Sequence, residues 1–115
     1  MTERMVKLDK NVIFPTGYPR KESSINVGRV TRLEDLSLWD IMVDDIDGLL
    51  FVFEGNHRVG RALELAEGQE IPLDVERVSF QRKAEILAFQ DKMANNGIRN
   101  YPDFIQRMQQ LRKEK

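Results

Sequence analysis

The fold is decided by residues 49–68, which read LLFVFEGNHRVGRALELAEG. Residues 49–53 form a short apolar block rich in aromatic and branched side chains, which is typical of a strand covered on both faces. A Glu-Gly pair interrupts the block, and Asn56 is a residue type that often caps helices. The pattern predicts a strand, a tight turn and a helix that starts at His57. Helical spacing and a glycine after the last turn support that helix, through Val59, Ala62, Leu63, Ala66 and Gly68.

The turn between this strand and this helix is a candidate anion site. Backbone N–H groups in a first helical turn lack intrahelical acceptors and lie at the positive end of the helix dipole. His57 and Arg58 add side-chain donors at the same place. The alternative is that both side chains are solvated or paired with a nearby carboxylate, because any strand-turn-helix unit needs a glycine and a cap.

Length and composition indicate one small domain that spans residues 1–115. The chain has 115 residues, of which 41% are hydrophobic, enough for one core and too few for two. It contains no cysteine, which excludes a disulfide framework, a thiolate nucleophile and a cysteine-based zinc site. No run is long enough to span a membrane, and the first residues lack the hydrophobic core of a signal peptide. We therefore expect a cytoplasmic protein without membrane contact.

The charges are distributed unevenly along the chain. Residues 1–76 carry 9 basic and 15 acidic side chains, whereas residues 77–115 carry 9 and 4. The basic end could face nucleic acid, or the two halves could attract each other in the folded domain.

The segments before the central unit are less regular. Apolar pieces near 5–8 and 12–14 predict one strand or two, and residues 15–19 have turn chemistry. Residues 20–29 are polar and are predicted to form a loop. Within that loop, a group of basic and hydroxyl side chains could reach a ligand or could simply be solvated: Arg20, Lys21, Ser23 and Ser24.

Two further elements are predicted between residues 31 and 48. Thr31 and Glu34 have the spacing of a capping box, which predicts a short helix through Leu36 with Leu33 also facing inward. Residues 38–43 predict a strand that carries the only tryptophan, joined to residues 49–53 as a hairpin. The three aspartates between these strands, Asp44, Asp45 and Asp47, do not have the spacing of a calcium loop, so we interpret them as turn residues and predict no metal site.

A further strand is predicted after the central helix. Residues 69–78 alternate apolar and polar side chains, and Pro72 favours an edge or a strand start. Because one helix connects this strand to residues 49–53, we expect a right-handed parallel crossover with 49–53 inside the sheet.

Residues 79–115 are predicted to form a helical extension. Ser79 can cap a first helix that ends at an Asn-Asn-Gly turn, and Asn100 with Pro102 can start a second. The pair could be a helix-turn-helix that reads DNA or a hairpin that packs on the sheet. We favour packing, by the domain itself or by a second copy in a homodimer, because the second helix has an apolar stripe formed by Tyr101, Phe104, Ile105, Met108 and Leu111.

Residues 53–59, FEGNHRV, followed by Ala62 and by Ile71-Pro72-Leu73, resemble the signature of the ParB/sulfiredoxin-like superfamily. There a strand ends in a D/E-G-x-H-R type box that opens a helix leading to an I/V-P strand. The match covers about residues 39–78. The resemblance implies an α/β (α+β) domain with a small mixed sheet, a central strand-turn-helix-strand unit and a C-terminal helical pair.

The resemblance also carries functional expectations. Sulfiredoxins have a catalytic cysteine directly before His-Arg, whereas this chain has Asn56, which excludes sulfinic acid reduction. In ParB partition proteins and in the free-amino-acid kinases of the superfamily, the corresponding turn holds a nucleotide. The resemblance implies that phosphate is bound by Gly55, Asn56, His57 and Arg58. It also implies that Glu54 and His57 are the catalytic candidates.

We therefore expect a nucleotide- or phosphate-ligand-binding domain, with a nucleotide and magnesium as the cofactor. Whether it catalyses a reaction stays open, and a nucleotide hydrolase or a kinase-like phosphotransferase would fit these residues best. The alternative is a non-enzymatic nucleic-acid-binding or protein-adaptor module that uses the basic C-terminal helices.

Overall fold

In the computed structural model of the protein, residues 2–38 and 40–114 are described. Within them the chain forms an α+β fold with a five-stranded mixed sheet and four α-helices, as expected. The elements in chain order are β1 (Thr2–Lys7), β2 (Ile13–Pro15), α1 (Lys21–Gly28), a 3-10 turn (Leu33–Asp35), β3 (Met42–Ile46), β4 (Leu49–Glu54), α2 (Asn56–Ala66), β5 (Glu70–Arg77), α3 (Phe80–Asn95) and α4 (Tyr101–Lys113).

The strands are ordered β1-β5-β3-β4-β2, so β4 lies inside the sheet, as predicted. The parallel crossover from β4 to β5 is wrong. β3 pairs antiparallel with β4 and parallel with β5, so β5 runs antiparallel to β4. The hairpin places β3 on one side of β4 and β2 takes the other side, which leaves β4 no open side for β5.

The β3–β4 hairpin is tighter than the sequence predicts. Only Asp47 and Gly48 form the turn, with φ of +54° and +90°, values that suit the two-residue turns matching strand twist. β3 therefore begins later than predicted, and Asp44 and Asp45 lie in the strand rather than in the turn. Trp39, which belongs to the predicted strand, lies outside the described residues.

One face of the sheet carries the main core, covered by α1, α2 and α4. As predicted, α2 follows β4 directly, and Tyr101, Phe104 and Met108 of α4 are fully buried. Ile105 is partly buried against the same core. The side chains of Ser79 and Asn100 cap α3 and α4, as the sequence predicts.

A smaller core lies apart from the main one, and α3, which also contributes Met93 to the main core, contributes Ile86 to it. Ile46 and Phe51 of the sheet pack there with Ile86, whereas Phe80 and Leu87 remain 88% and 42% exposed. Arg82 pairs with the buried Asp44, at 3.2 Å between Nε and Oδ2. Burial nevertheless raises the pKa of Asp44, although the charge and hydrogen bond of Arg82 oppose the rise.

The predicted loop over residues 20–29 is wrong, because residues 21–28 form α1. This helix buries only Ser24 and has no apolar stripe that a sequence pattern could reveal. Arginines from two other helices hold it in place. Arg112 Nε donates to the carbonyl of Ser24 at 2.8 Å. Arg61 donates to the carbonyl of Gly28, the last residue of α1, at 3.4 Å, and to that of Val30, just after the helix, at 2.9 Å. Tertiary contacts here override weak local propensity.

A partly buried ionic cluster joins α1, α2 and α4. Glu64 accepts hydrogen bonds from Arg112 at 2.8 and 3.1 Å and lies 3.5 Å from Arg61. Burial alone would raise the pKa of Glu64, but the Arg112 and Gln109 hydrogen bonds and the two positive charges lower it below its ordinary value. The cluster therefore holds an ionised carboxylate between the helices.

The predicted capping box at Thr31 and Glu34 is also wrong. Arg32 precedes a 3-10 turn without a side-chain cap, and its Nε bonds Asp35 at 3.1 Å instead. Leu36 is buried, and Leu33 packs partly against the core, as expected. Across residues 2–38 and 40–114, no helix has the length and hydropathy needed to cross a lipid bilayer.

Candidate functional site

An open cavity of about 680 Å³ lies where β4 passes into α2. Three segments form its walls: the loop after β2, the first turns of α1, and the strand-to-helix turn. It is lined by Gly17, Tyr18, Arg20, Ser23, Asn26, Val27, Phe53, Glu54, Gly55, Asn56, His57 and Arg58. All five predicted site residues thus line one cavity. Arg20 and Ser23 line it too, although the sequence alone could not decide whether they contact a ligand or are simply solvated.

The turn into α2 depends on Gly55. This residue has φ of +95° and is the N-cap, one position before the predicted Asn56, so the helix begins without a side-chain cap. A Cβ at this position would lie 2.9 Å from Cγ1 of Ile41 and 3.1 Å from Nη2 of Arg58. No side chain caps this helix at Gly55, and the first turn of an uncapped helix is a common place for anions to bind.

Asn56 ties the site to distant parts of the chain. Its Oδ1 accepts from the backbone N–H of Thr16 at 3.0 Å, and its backbone carbonyl accepts from the Tyr101 hydroxyl at 3.1 Å. Burial raises the pKa of Tyr101 well above its ordinary value, which keeps this hydroxyl a donor. The side chain of Asn56 therefore fixes the cavity wall rather than capping α2.

His57 joins the two helices that flank the cavity. Its Nε2 accepts from the backbone N–H of Arg20 at 3.0 Å, and its ring meets Phe104 edge-on at a centroid distance of 5.2 Å. Burial, reinforced by the Arg20 charge, lowers the pKa of His57 from 6.5 to about 4. The ring is then neutral at pH 7 with its proton on Nδ1, because Nε2 accepts. It can donate one hydrogen bond to a ligand, whereas proton transfer through Nε2 requires the Arg20 bond to break.

Two arginines line the cavity from opposite walls. Arg58 projects from the first turn of α2, and its Nη1 donates to the carbonyl of Ser37. Arg20 precedes α1 and is exposed. The bond to Ser37 orients the Arg58 guanidinium, and the cavity lining carries two positive charges together with the one negative charge of Glu54.

Glu54 is the last residue of β4 and is exposed at the cavity. Among the described residues that line the cavity, it is the single carboxylate. Across the described part of the chain, no three His, Cys, Asp or Glu side chains converge in a way that could hold a metal ion. One carboxylate suits magnesium that arrives with phosphate ligands, because such ions usually take one or two protein carboxylates.

Comparison with protein-family models, curated proteins and solved structures gives no match. The ParB/sulfiredoxin-like resemblance therefore stays a prediction that rests on residues 53–59 and the strand that follows α2.

The loop over the cavity is held by α3, a connection that no local sequence pattern indicates. Gln90 Nε2 donates to the carbonyl of Pro15 at 2.6 Å, and Asn96 Nδ2 donates to the Tyr18 hydroxyl at 3.1 Å. Phe89 packs against Tyr18 with ring centroids 6.0 Å apart. The basic C-terminal region thus helps to build one wall of the cavity.

Several cations of this region pair with acidic residues from the first half of the chain. Lys83 lies 2.9 Å from Asp47 and Arg112 lies 2.8 Å from Glu64, in addition to the Arg82–Asp44 pair. These contacts favour the interpretation in which the two halves of the chain attract each other.

Proposed function

We propose that this domain binds a phosphate-bearing ligand, with a nucleotide as the favoured class, in the cavity between α1 and α2. The observation that carries the proposal is that the first turn of α2, without a side-chain cap, opens into a cavity that Arg20 and Arg58 also line. Helix N-termini and arginines favour the same ligand charge, and here they lie around the same space.

The size of the cavity supports a ligand larger than a single phosphate. Its volume of about 680 Å³ falls in the range typical of small-molecule sites. Tyr18 offers an aromatic ring in the same lining, which a nucleobase could stack on, whereas the Phe53 ring already has the Arg82 guanidinium 4.9 Å from its centroid. A polar strand-to-helix turn and an aromatic ring in one lining suit the phosphate and the base of a nucleotide.

Four of the five predicted site residues have a direct role in this proposal, and the side chain of Asn56 stays bonded to the backbone of Thr16. Gly55 lets phosphate approach the backbone, and the N–H groups of the first α2 turn bind its oxygens. Arg58 neutralises phosphate charge, and Nδ1–H of His57 donates one further hydrogen bond. Glu54 is the carboxylate that would hold magnesium, and the metal would supply charge stabilisation for phosphoryl transfer or hydrolysis.

Calorimetric titration tests the proposal directly. The panel is inorganic phosphate, pyrophosphate and the four ribonucleoside triphosphates, each with and without magnesium. Arg58→Ala should weaken binding by roughly ten- to a hundred-fold, because charge-assisted hydrogen bonds contribute about 1.5–3 kcal/mol. It should also lower the melting temperature, since the bond to Ser37 is lost.

Arg107→Ala is the matched control, because it removes the same charge from an exposed position on α4 that is not part of the cavity lining. The affinity of this variant for each ligand should equal that of the wild type. Absence of binding to the wild-type domain at millimolar ligand would refute the proposal.

A further inference from the structure

Within the described residues, β1 forms one edge of the sheet and β2 forms the other. The β1 strand is the last in the sheet order and pairs only with β5. Four of its residues, Glu3, Arg4, Met5 and Lys7, are exposed. An edge strand presents a row of backbone N–H and C=O groups that another strand can use.

Pro72 fixes which backbone groups of β1 face outward. It lies opposite Met5 and has no N–H to donate, so this pair is a non-hydrogen-bonded one. The bonds just after β1 follow the same alternation. The backbone N–H of Leu8 donates to the carbonyl of Gln69, and the carbonyl of Leu8 accepts from the N–H of Gly68, each at 2.8 Å. Even-numbered residues therefore bond to β5, and the outward groups belong to Glu3, Met5 and Lys7.

We propose that a second copy of this chain pairs with β1, antiparallel, with Met5 on the two-fold axis. In this register Glu3 of each copy lies opposite Lys7 of the other, and the two Met5 residues face each other. All three pairs use outward-facing backbone groups, which gives about six hydrogen bonds between the copies. The sheets of the two copies then become one continuous sheet.

The charges on this face favour the same partner. Glu3 lies directly opposite Asp74 of β5, and like charges at opposed positions destabilise a strand pair. In the proposed register, Lys7 of the second copy comes to lie on the other side of Glu3. A positive charge is thereby placed beside a negative pair, while Lys7 keeps Glu70 of β5 on its other side.

The apolar residues of the face align in the same register. Met5 is 57% exposed and stands next to Pro72. Pairing about Met5 would form a row of Pro72, Met5, Met5 and Pro72 across the two copies, and this row removes the exposed methionines from water. Moving the axis by one residue in either direction separates the methionines, leaves one outward residue unpaired and loses both Glu-Lys pairs.

The inference does not depend on the proposed function. β1 is at one edge of the sheet, whereas the cavity lies where β4 meets α2, close to the opposite edge formed by β2. Pairing through β1 would leave the cavity open.

Sedimentation velocity of the whole chain, from micromolar to millimolar concentration, tests the proposal. The wild type should form dimers in a concentration-dependent way. Glu3→Lys and Lys7→Glu should each weaken the dimer by roughly tenfold or more, because each turns two attractive cross-strand pairs into repulsive ones. An equimolar mixture of the two variants should dimerise again, since the lysines of one then face the glutamates of the other.

The mixture also controls for folding, because two misfolded variants would not restore a defined dimer. Met5→Pro removes an outward N–H and no bond to β5, so it should give a folded monomer by circular dichroism. A wild type that stays monomeric at millimolar concentration would overturn the proposal. So would a dimer that both charge variants leave unchanged, or a mixture that stays monomeric.

Discussion

Acidification should destabilise this domain through His57. The pKa of this side chain is about 4 in the fold, against an ordinary value of 6.5. Between these pH values the histidine of the unfolded chain binds a proton that the folded domain does not bind. The free energy of unfolding therefore decreases as the pH falls. The stability that the domain gains from a neutral His57 is fully present above pH 6.5 and is lost progressively as the pH falls to about 4.

The magnitude follows from the shift. A difference of one pH unit in pKa corresponds to 1.36 kcal/mol, so the full shift would give roughly 3 kcal/mol as an upper value. The ring is only partly buried, and solvent screening reduces such values. We therefore expect about 1–2 kcal/mol of lost stability between pH 7 and pH 4.5.

The assay compares urea unfolding of the wild type and of His57→Gln across this pH range. A glutamine Oε1 can accept from the Arg20 N–H as Nε2 does, but it does not titrate. The difference between the two proteins isolates the histidine from carboxylates such as Asp44, whose raised pKa gives the opposite pH dependence. The stability advantage of the wild type should shrink as the pH falls.

The reasoning can also be checked without unfolding, because the chain contains one histidine. Its ring resonances in an NMR titration should report a pKa near 4, and the nitrogen shifts should show the proton on Nδ1. A pKa between 6 and 7, or parallel stability curves for the two proteins, would refute this account of His57.

Three further outcomes follow from the packing. Glu64→Gln should lower the free energy of unfolding by about 3 kcal/mol, because two partly buried arginines lose their carboxylate; chemical denaturation measures it, and a loss under 1 kcal/mol would contradict it. Truncation after Gly97 removes three fully buried side chains of α4, each contributing roughly 1.5–3 kcal/mol, so the fragment should not fold; an unchanged melting temperature would contradict this. Gly55→Ala should cost about 1–3 kcal/mol, since it combines a positive φ with a clash against Ile41, and Gly48→Ala, also at positive φ but without neighbours within 4 Å, is the matched control with a smaller loss.

The features that the sequence predicts correctly are local ones. The strand-turn-helix unit depends on an apolar block, a glycine and a helical stripe, all within residues 49–68. The caps at Ser79 and Asn100 depend on a single side chain and the turn that follows it. The five site residues lie around one cavity because they are neighbours in the chain.

The features that were missed depend on distant residues. α1 has no apolar stripe, and arginines from α2 and α4 fix its position. Asp44 has the sequence context of a turn residue, and its ion pair with Arg82, 38 residues later, is a contact that the local sequence does not indicate. The direction of β5 relative to β4 depends on where the hairpin partner lies, which no segment pattern contains.

The two bonds of Asn56 have a consequence for how the domain is made. They join the loop at Thr16, the start of α2 and Tyr101 of α4, so the cavity wall needs segments that lie 40 and 45 residues away from Asn56 along the chain. During synthesis on the ribosome, the wall cannot close until the C-terminal helix has left the exit tunnel. The nascent chain would acquire this cavity wall only after α4 has been made, and a peptide that carries the 53–59 box without α4 would not reproduce it.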